Sequence, residues 1–177
     1  MPVTACSLRN TSLSRGTDAR RSANDAACTS ASITRLFSTG VGNIFGVSSV
    51  ALGSDGLGLI SFSGHSGDLN VAHCDDQACS SATITALAGL NYGSESSVVI
   101  DASGLALISH DSLPNSDLKV TRCTSIDCTS AQTTTVDSVG DVGEHPSITV
   151  GPDGRGLVSY YDATNDVLKV AHLPHGL

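Results

Sequence analysis

The sequence predicts an all-β fold made of repeated four-stranded antiparallel sheets. Three similar segments begin SSVALGSDGLGLISF at residue 48, SSVVIDASGLALISH at 96 and PSITVGPDGRGLVSY at 146, a repeat of about 48–50 residues. Inside each repeat, apolar residues alternate with polar ones in short runs bounded by Gly, Asp, Asn and Pro, which is typical of strands joined by tight turns. No stretch of the sequence shows the apolar spacing of a helix.

Each repeat predicts four strands in a fixed order. A turn like G-x-D-G follows the first strand, where Asp and Gly accept the positive φ of a tight hairpin, and the second repeat reads DASG at 101–104. Four antiparallel strands that repeat at just under fifty residues are the pattern of a β-propeller blade. In the first repeat the four strands are marked in order by Val50 and Leu52, by LISF at 59–62, by Leu69 and Val71, and by Ile84 and Leu87.

The two ends of the predicted repeat domain (1–177) are incomplete in complementary ways. Blades are predicted at 48–87 and 96–136, whereas 146–173 supplies three strands and lacks a fourth. The basic segment 1–36 contains CTSASITRL at 28–36, which matches the fourth strand CSSATITAL of the first blade. The sequence therefore predicts roughly three blades, with a stray fourth strand at one end and a missing one at the other.

This mismatch predicts assembly with a second copy of the chain. Closed propellers have at least four blades, so we expect the stray strand to complete a blade in a neighbouring chain. Such head-to-tail contact either closes into a six-bladed ring or continues as a filament. The alternative is that the chain is part of a longer propeller. The residues predicted at this junction are Ile33, Thr34, Arg35 and Leu36 on one chain and Leu168, Val170 and His172 on the other.

The motif string LISYYD…DLKVAHC…CTSA resembles tandem repeats of secreted bacterial proteins that look like propellers. The resemblance covers residues 28–173 and implies the same blade fold, without implying an activity. Only the third repeat keeps the Tyr-Tyr-Asp part of the motif, at 160–162, whereas Phe62 and His110 stand at the first Tyr position in the other two.

Two pairs of cysteines have the same spacing. Cys74 and Cys79 enclose four residues, as do Cys123 and Cys128, and facing strand positions are close enough for a disulfide. The third repeat lacks both cysteines, and loss in pairs fits a bond between them. Zinc binding with His73 and free buried thiols are the alternatives.

A third disulfide is predicted between Cys6 and Cys28, because Pro2–Cys6 resembles the end of a third strand. Disulfides favour an oxidising compartment, so we expect an extracellular or cell-surface protein. No signal peptide is visible at the N-terminus, which leads us to expect that Met1 is not the natural start.

The charge distribution narrows the class of partner. The net charge of −8 argues against nucleic acid and anionic membranes, and no apolar run is long enough for membrane insertion. Residues 1–35 hold five Arg and two Asp, so they carry +3 and the remainder carries −11. A basic head on an acidic body suits head-to-tail self-association.

Polar residues near the ends of the second strands are candidates for a binding face, because propeller-like folds carry ligands on their loops. The alternative is that they are solvated turn residues. The sequence contains no G-x-S-x-G or H-E-x-x-H motif, so no catalytic residue, metal site or cofactor is predicted. The candidate loop residues are His65, Asp68, His110, Asp111, Tyr161 and Asp162.

Taken together, these patterns predict a non-enzymatic extracellular structural protein that assembles head to tail by strand completion. A lectin-like propeller that binds glycans is the first alternative, although aromatic residues are scarce. A fragment of a larger propeller hydrolase is the second.

Overall fold

The computed structural model describes residues 33–36, 47–64, 67–87, 95–112 and 115–176. The chain divides into units 1–33 and 34–177, and every described residue after Ile33 belongs to the second unit. The described residues form eleven strands and no helix, which confirms the predicted all-β fold. Accordingly, none of the described residues belong to a helix that could cross a membrane.

The strands form three antiparallel sheets in chain order, as the repeats predict. The first two sheets have four strands each and the third has three, and neighbours along the chain are hydrogen-bonded neighbours in each sheet. The strands are β1 (Ser49–Leu52), β2 (Gly58–Ser63), β3 (Leu69–Cys74) and β4 (Ala82–Ala86) in sheet 1; β5 (Ser96–Ile100), β6 (Ala106–Ser112), β7 (Asp117–Cys123) and β8 (Ala131–Asp137) in sheet 2; and β9 (Val142–Val150), β10 (Gly156–Asp162) and β11 (Val167–His172) in sheet 3.

The turn between the first two strands of each sheet is built around one carboxylate. In sheet 1, Asp55 Oδ1 accepts the N–H of Leu57 at 3.0 Å, and Gly56 has a φ of 79° that favours glycine. A Cβ on Gly53 would lie 2.6 Å from Asp55 Oδ1, so glycine there leaves room for the carboxylate. The positive φ and the Asp in the turn are what the G-x-D-G pattern predicts.

Sheet 2 places the carboxylate at a different position of the same turn. Asp101 stands where sheet 1 has Gly53, and Ser103 stands where it has Asp55. Asp101 Oδ1 accepts the N–H groups of Ser103 at 2.8 Å and Leu105 at 3.1 Å. The turn thus keeps its carboxylate acceptor although the residue that supplies it has moved by two positions.

Apolar layers hold successive sheets together. We call the side of a sheet that faces the next sheet its front face, and the opposite side its back face; in sheet 3 the front face is the side that carries the equivalent residues of the repeat. One buried cluster joins the front face of sheet 1 to the back face of sheet 2, and a second cluster joins sheets 2 and 3 in the same way. The front-face members are Leu59, Leu69 and Val71 in sheet 1 and Leu107, Leu118 and Val120 in sheet 2; the back-face members include Val98, Ile108 and Cys123 in sheet 2 and Ile148, Val158 and Leu173 in sheet 3.

Two of the three predicted disulfides are present. Cys74–Cys79 and Cys123–Cys128 each close the turn between the third and fourth strands, with Cα atoms 4.9 Å apart. Cys123 and Cys128 are fully buried and pack into the cluster between sheets 1 and 2, so this bond also contributes to the core. The predicted Cys6–Cys28 bond lies outside the described residues.

Candidate assembly surfaces

The last strand, β11, is an edge of sheet 3. Among the described residues it pairs only with β10, whereas the equivalent strands β3 and β7 each pair with a fourth strand. The N–H of Leu173 donates to Gly156 O, so alternate residues of β11 bond to β10 and the residues between them direct their backbone groups outward. These outward residues are Leu168, Val170 and His172, the three that the sequence predicts at the junction.

The front face of sheet 3 is apolar and exposed. Leu168 is 76% exposed, whereas its counterparts Leu69 and Leu118 are 3% and 0% exposed. Val170 is 59% exposed, and the valines at its position in β3 and β7 are fully buried. The residue types that form the inter-sheet layers elsewhere are therefore left uncovered in sheet 3 by the part of the chain that the structure describes.

The back face of sheet 1 also exposes apolar side chains that are buried at the equivalent positions of the other sheets. Val50 is 67% exposed, but its counterparts Val98 and Ile148 are only 6% and 8% exposed because a preceding sheet covers them. Leu52 is 70% exposed, and Ile100 at its position packs against the first apolar cluster. Both outer faces of the array thus carry the side chains that the two inner interfaces bury.

A repeated hydrogen bond accompanies each inner interface. The N–H of Val98 donates to Ser49 Oγ at 3.1 Å, which joins sheet 2 to sheet 1. At the corresponding position, the N–H of Ile148 donates to Ser97 Oγ at 3.3 Å and joins sheet 3 to sheet 2. The next acceptor in this series is the exposed Ser147 on the front of sheet 3, and the corresponding donor is the N–H of Val50 on the back of sheet 1.

Each sheet also carries a basic side chain on its third strand that binds the turn carboxylate. His73 Nε2 lies 2.8 Å from Asp55 Oδ2, and Arg122 donates to Asp101 Oδ2 at 2.9 Å. In sheet 3 the pair is His172 with Asp153 at 2.8 Å.

The third of these carboxylates has two partners. Hydrogen bonds from Arg155, together with the nearby His172, lower the pKa of Asp153 to about 2. The contact between His172 and Asp153 therefore holds the turn of sheet 3 against the same strand that forms its open edge.

The predicted stray strand does not pair within the described part of the chain. Residues 33–36 have no strand assignment, and Ile33, Thr34 and Arg35 are exposed. These three residues are therefore accessible for contact with another molecule.

Two of the predicted loop-binding residues are buried within sheet 2. His110 is fully buried on β6, where its Nε2 lies 2.9 Å from Thr121 Oγ1 on β7. Burial lowers the pKa of His110 to about 4, so its ring is neutral at pH 7. Asp111 accepts the N–H of Glu95, and burial is the main cause that raises the pKa of this carboxyl.

The buried ring makes the free energy of unfolding depend on pH. The pKa of His110 is about 4 in the folded protein and 6.5 in an unperturbed chain. The free energy of unfolding is therefore unaffected by this group above pH 6.5, and it decreases as the pH falls towards 4, because only the unfolded chain takes up the proton in that range. Between pH 7 and 4.5 we expect the protonation of His110 in the unfolded chain to cost about 2 kcal/mol of stability. His110→Phe, which places the residue of the first repeat here, should lack this loss in urea unfolding at the two pH values.

The comparison of the two proteins isolates His110, because Asp111 and the other carboxyls titrate in both. Equal losses of stability in wild type and His110→Phe would show that the ring is not held neutral by burial.

In sheet 3 the corresponding residues form a network of charged side chains. Tyr161 OH donates to Asp166 Oδ1 at 2.7 Å, and Asp162 accepts both the N–H and the side-chain amide of Asn165 at 2.9 Å. Asp162 is 1% exposed and also lies 3.2 Å from Lys169 Nζ.

Lys169 links this network to sheet 2. Its Nζ lies 2.5 Å from Asp137 Oδ2 on β8, and that hydrogen bond is the main cause that raises the pKa of Lys169. Tyr160 OH donates to the same carboxylate, and burial with this bond raises the pKa of Tyr160 to about 12. Asp137 therefore fixes sheet 3 against sheet 2, a role that the sequence analysis missed because a bulge in β8 shifts it from the repeat register.

Among the described residues, the remaining candidate loop residues do not form a shared site. His65 lies outside the described residues, and the backbone O of Asp68 accepts hydrogen bonds from Gly64 and Asn70. Within the described ranges, no group of three or more His, Cys, Asp or Glu residues is arranged to hold a metal ion. One further inter-sheet contact that the sequence did not indicate joins His145 Nδ1 to Glu95 at 2.8 Å.

Comparison with known proteins finds solved structures of similar fold. No protein-family model and no curated protein matches the chain. Among solved structures, it is similar to a protein of unknown function from Dyadobacter fermentans, with a TM-score of 0.55 and 14% identity over 70% of this chain and 36% of that one. It is also similar to a bifunctional GH43-CE protein of Bacteroides eggerthii, with a TM-score of 0.53 and 16% identity over 75% of this chain and 19% of that one.

Both similarities concern the fold alone, because the identities are low. The chain spans about a third of the first of these proteins and about a fifth of the second.

Proposed function

We propose that this protein is an extracellular structural subunit that associates head to tail with further copies of itself. The front of sheet 3 in one copy packs on the back of sheet 1 in the next, and residues 33–36 of that next copy add a fourth strand to β11. The contact is heterologous, so it builds either a closed propeller ring or a filament.

The observation that carries this proposal is the match between the outer faces and the inner interfaces. Leu168 and Val170 repeat the residues that sheets 1 and 2 bury on their front faces, and Val50 repeats the valine that sheet 2 buries on its back face. Docking a second copy in the same geometry would cover both outer faces with side chains of the right size and position. It would also place Ser147 Oγ to accept the N–H of Val50 of that copy.

The free backbone edge of β11 supports strand completion at the same contact. An unpaired strand edge presents donors and acceptors that readily pair with another chain. In sheet 1 the N–H of Leu87 donates to Leu69 O, and alternation along the ladder assigns the next bond to Thr85. Thr34 is the counterpart of Thr85 in the stray segment, so its N–H is expected to bond to Val170 O.

The two disulfides support an extracellular location, since such bonds persist in oxidising compartments. The glycan-binding and hydrolase alternatives receive less support from the site. His110 and Asp162, two of their candidate residues, are buried and hydrogen-bonded inside their own sheets.

Thr34→Pro tests strand completion. Proline removes the N–H predicted to bond to Val170 O, so we expect the assemblies seen by native mass spectrometry and electron microscopy to dissociate into monomers. Ile33→Pro is the matched control, because the N–H of Ile33 would face away from β11 and proline is tolerated there.

Three outcomes of this experiment contradict the proposal. Wild-type protein that is monomeric at all concentrations would show that the outer faces are covered by something other than a second copy, such as further sheets of a longer chain. Equal assembly of both proline variants, or equal loss of assembly, would exclude the predicted backbone register.

A further inference from the structure

A cleft lies between sheets 2 and 3 at the end where the first two strands of each sheet turn. Its volume is about 210 Å³, below the ~300–1,000 Å³ of sites for drug-sized ligands, so it suits a small molecule. The cleft is formed by the β5–β6 turn, the β9–β10 turn and the segment after β11. Its lining includes Asp101, Ser103, Arg122, Arg155, Pro174 and His175.

The cleft exists because a contact found at the other interface is missing here. Between sheets 1 and 2 the turns touch, since Ser54 Oγ donates to Gly104 O at 3.4 Å. A Cβ on Gly104 would lie 2.8 Å from that hydroxyl, whereas a Cβ on Gly154, its counterpart in sheet 3, would have nothing within 4 Å. Ala102 stands at the position of Ser54 in sheet 2 and has no hydroxyl to close the gap.

The lining carries two guanidinium groups in a protein whose net charge is −8. It contains the guanidinium groups of Arg122 and Arg155 and the carboxylate of Asp101, and each guanidinium is paired with one carboxylate, Arg122 with Asp101 and Arg155 with Asp153. Asp101 already accepts hydrogen bonds from Arg122 and from the turn N–H groups, so its charge is well compensated.

The guanidinium of Arg155 has hydrogen-bond donors that are not used within the described residues. Its Nε donates to Asp153 Oδ2 at 2.7 Å, and within the described residues its two terminal nitrogens have no hydrogen-bond acceptor. A guanidinium with both terminal nitrogens available is suited to two parallel hydrogen bonds with a carboxylate. The other two repeats have leucine at this position, so the arginine is not needed to form the turn.

We propose that this cleft binds a small carboxylate ligand, such as a sugar acid, with its carboxylate on Arg155. Arg122 and His175 lie on the other walls of the cleft. The site is complete within one chain, so it does not depend on the proposed assembly.

Titration with sodium glucuronate, followed by NMR chemical shifts of the full-length protein, tests this site. We expect saturable shifts of the Arg155 Nε–H and His175 signals, and no such shifts with glucose, which lacks the carboxylate. Arg155→Leu should weaken glucuronate binding at least about tenfold, the effect of losing a charge-assisted hydrogen bond. The variant keeps the turn, because Leu57 and Leu105 occupy this position in the other sheets.

Two serine and alanine exchanges provide the matched pair. Ala102→Ser recreates the contact that Ser54 makes, so it should close the cleft and reduce glucuronate binding. Ser54→Ala makes the reciprocal change at the other interface and should leave glucuronate binding unchanged. Glucose shifts equal to those of glucuronate, or binding unaffected by both Arg155→Leu and Ala102→Ser, would overturn the proposal.

Discussion

Leu168→Asp is expected to abolish self-association while leaving the single chain folded. Leu168 is 76% exposed in one chain, so a charge there is solvated in the monomer. In the proposed assembly the same side chain lies in an apolar interface, where an unpaired carboxylate costs several kcal/mol. We expect the dissociation constant measured by analytical ultracentrifugation to rise by at least about 100-fold.

Val139→Asp is the control, because Val139 is 77% exposed and lies in the β8–β9 turn, outside the strands that form the outer faces. It introduces the same charge and should leave association unchanged. Equal weakening by both substitutions would indicate a general charge effect rather than an interface.

A mixing experiment shows whether the contact is head to tail. Leu52→Asp blocks the back face of sheet 1 and leaves the front face of sheet 3 intact, whereas Leu168→Asp does the reverse. Each variant alone should be monomeric, and an equimolar mixture should form heterodimers that grow no further, because one good face of each kind is present. Heterodimers that fail to form would exclude a heterologous contact between these faces.

Leu118→Ala is expected to destabilise the folded chain by about 2–5 kcal/mol. Leu118 is fully buried in the cluster between sheets 2 and 3, and its removal leaves a cavity there. Leu168→Ala changes the same residue type at the same position of the next repeat, yet it should alter the free energy of unfolding by no more than about 0.5 kcal/mol, because that side chain is exposed.

Both alanine variants are best compared by urea unfolding in the monomeric Leu52→Asp background, where association cannot contribute. Similar losses of stability at the two positions would mean that the front face of sheet 3 is covered within a single chain. That result would also remove the main support for assembly.

The strands and the two described disulfides follow directly from the sequence, because each depends on residues that are close along the chain. Alternation of apolar residues fixes which side of a strand is buried, and the G-x-D-G pattern fixes the turn that joins two strands. The bond between Cys123 and Cys128 could be predicted from the hairpin geometry of adjacent strands alone.

The candidate site was harder to predict, since it depends on which residues of different sheets meet. The spacing of His110 suggested a loop residue, but β6 continues to Ser112 and places the ring inside the sheet. Asp137 bridges two sheets only because of a register shift next to it. Leu168 is exposed because no sheet formed by the described residues covers it, which the side-chain pattern of its own repeat does not reveal.

The carboxylate at the hairpin turns constrains how these repeats diverge. One small volume in the turn is filled either by Gly53 with Asp55 or by Asp101 with Ser103. A sequence with Asp at both positions would crowd two carboxylates into that volume. A sequence with Gly and Ser would leave the turn N–H groups without a carboxylate acceptor. Drift from one form to the other therefore passes through a less fit intermediate, so copies of this repeat should fall into two discrete sequence types at these positions rather than a continuum.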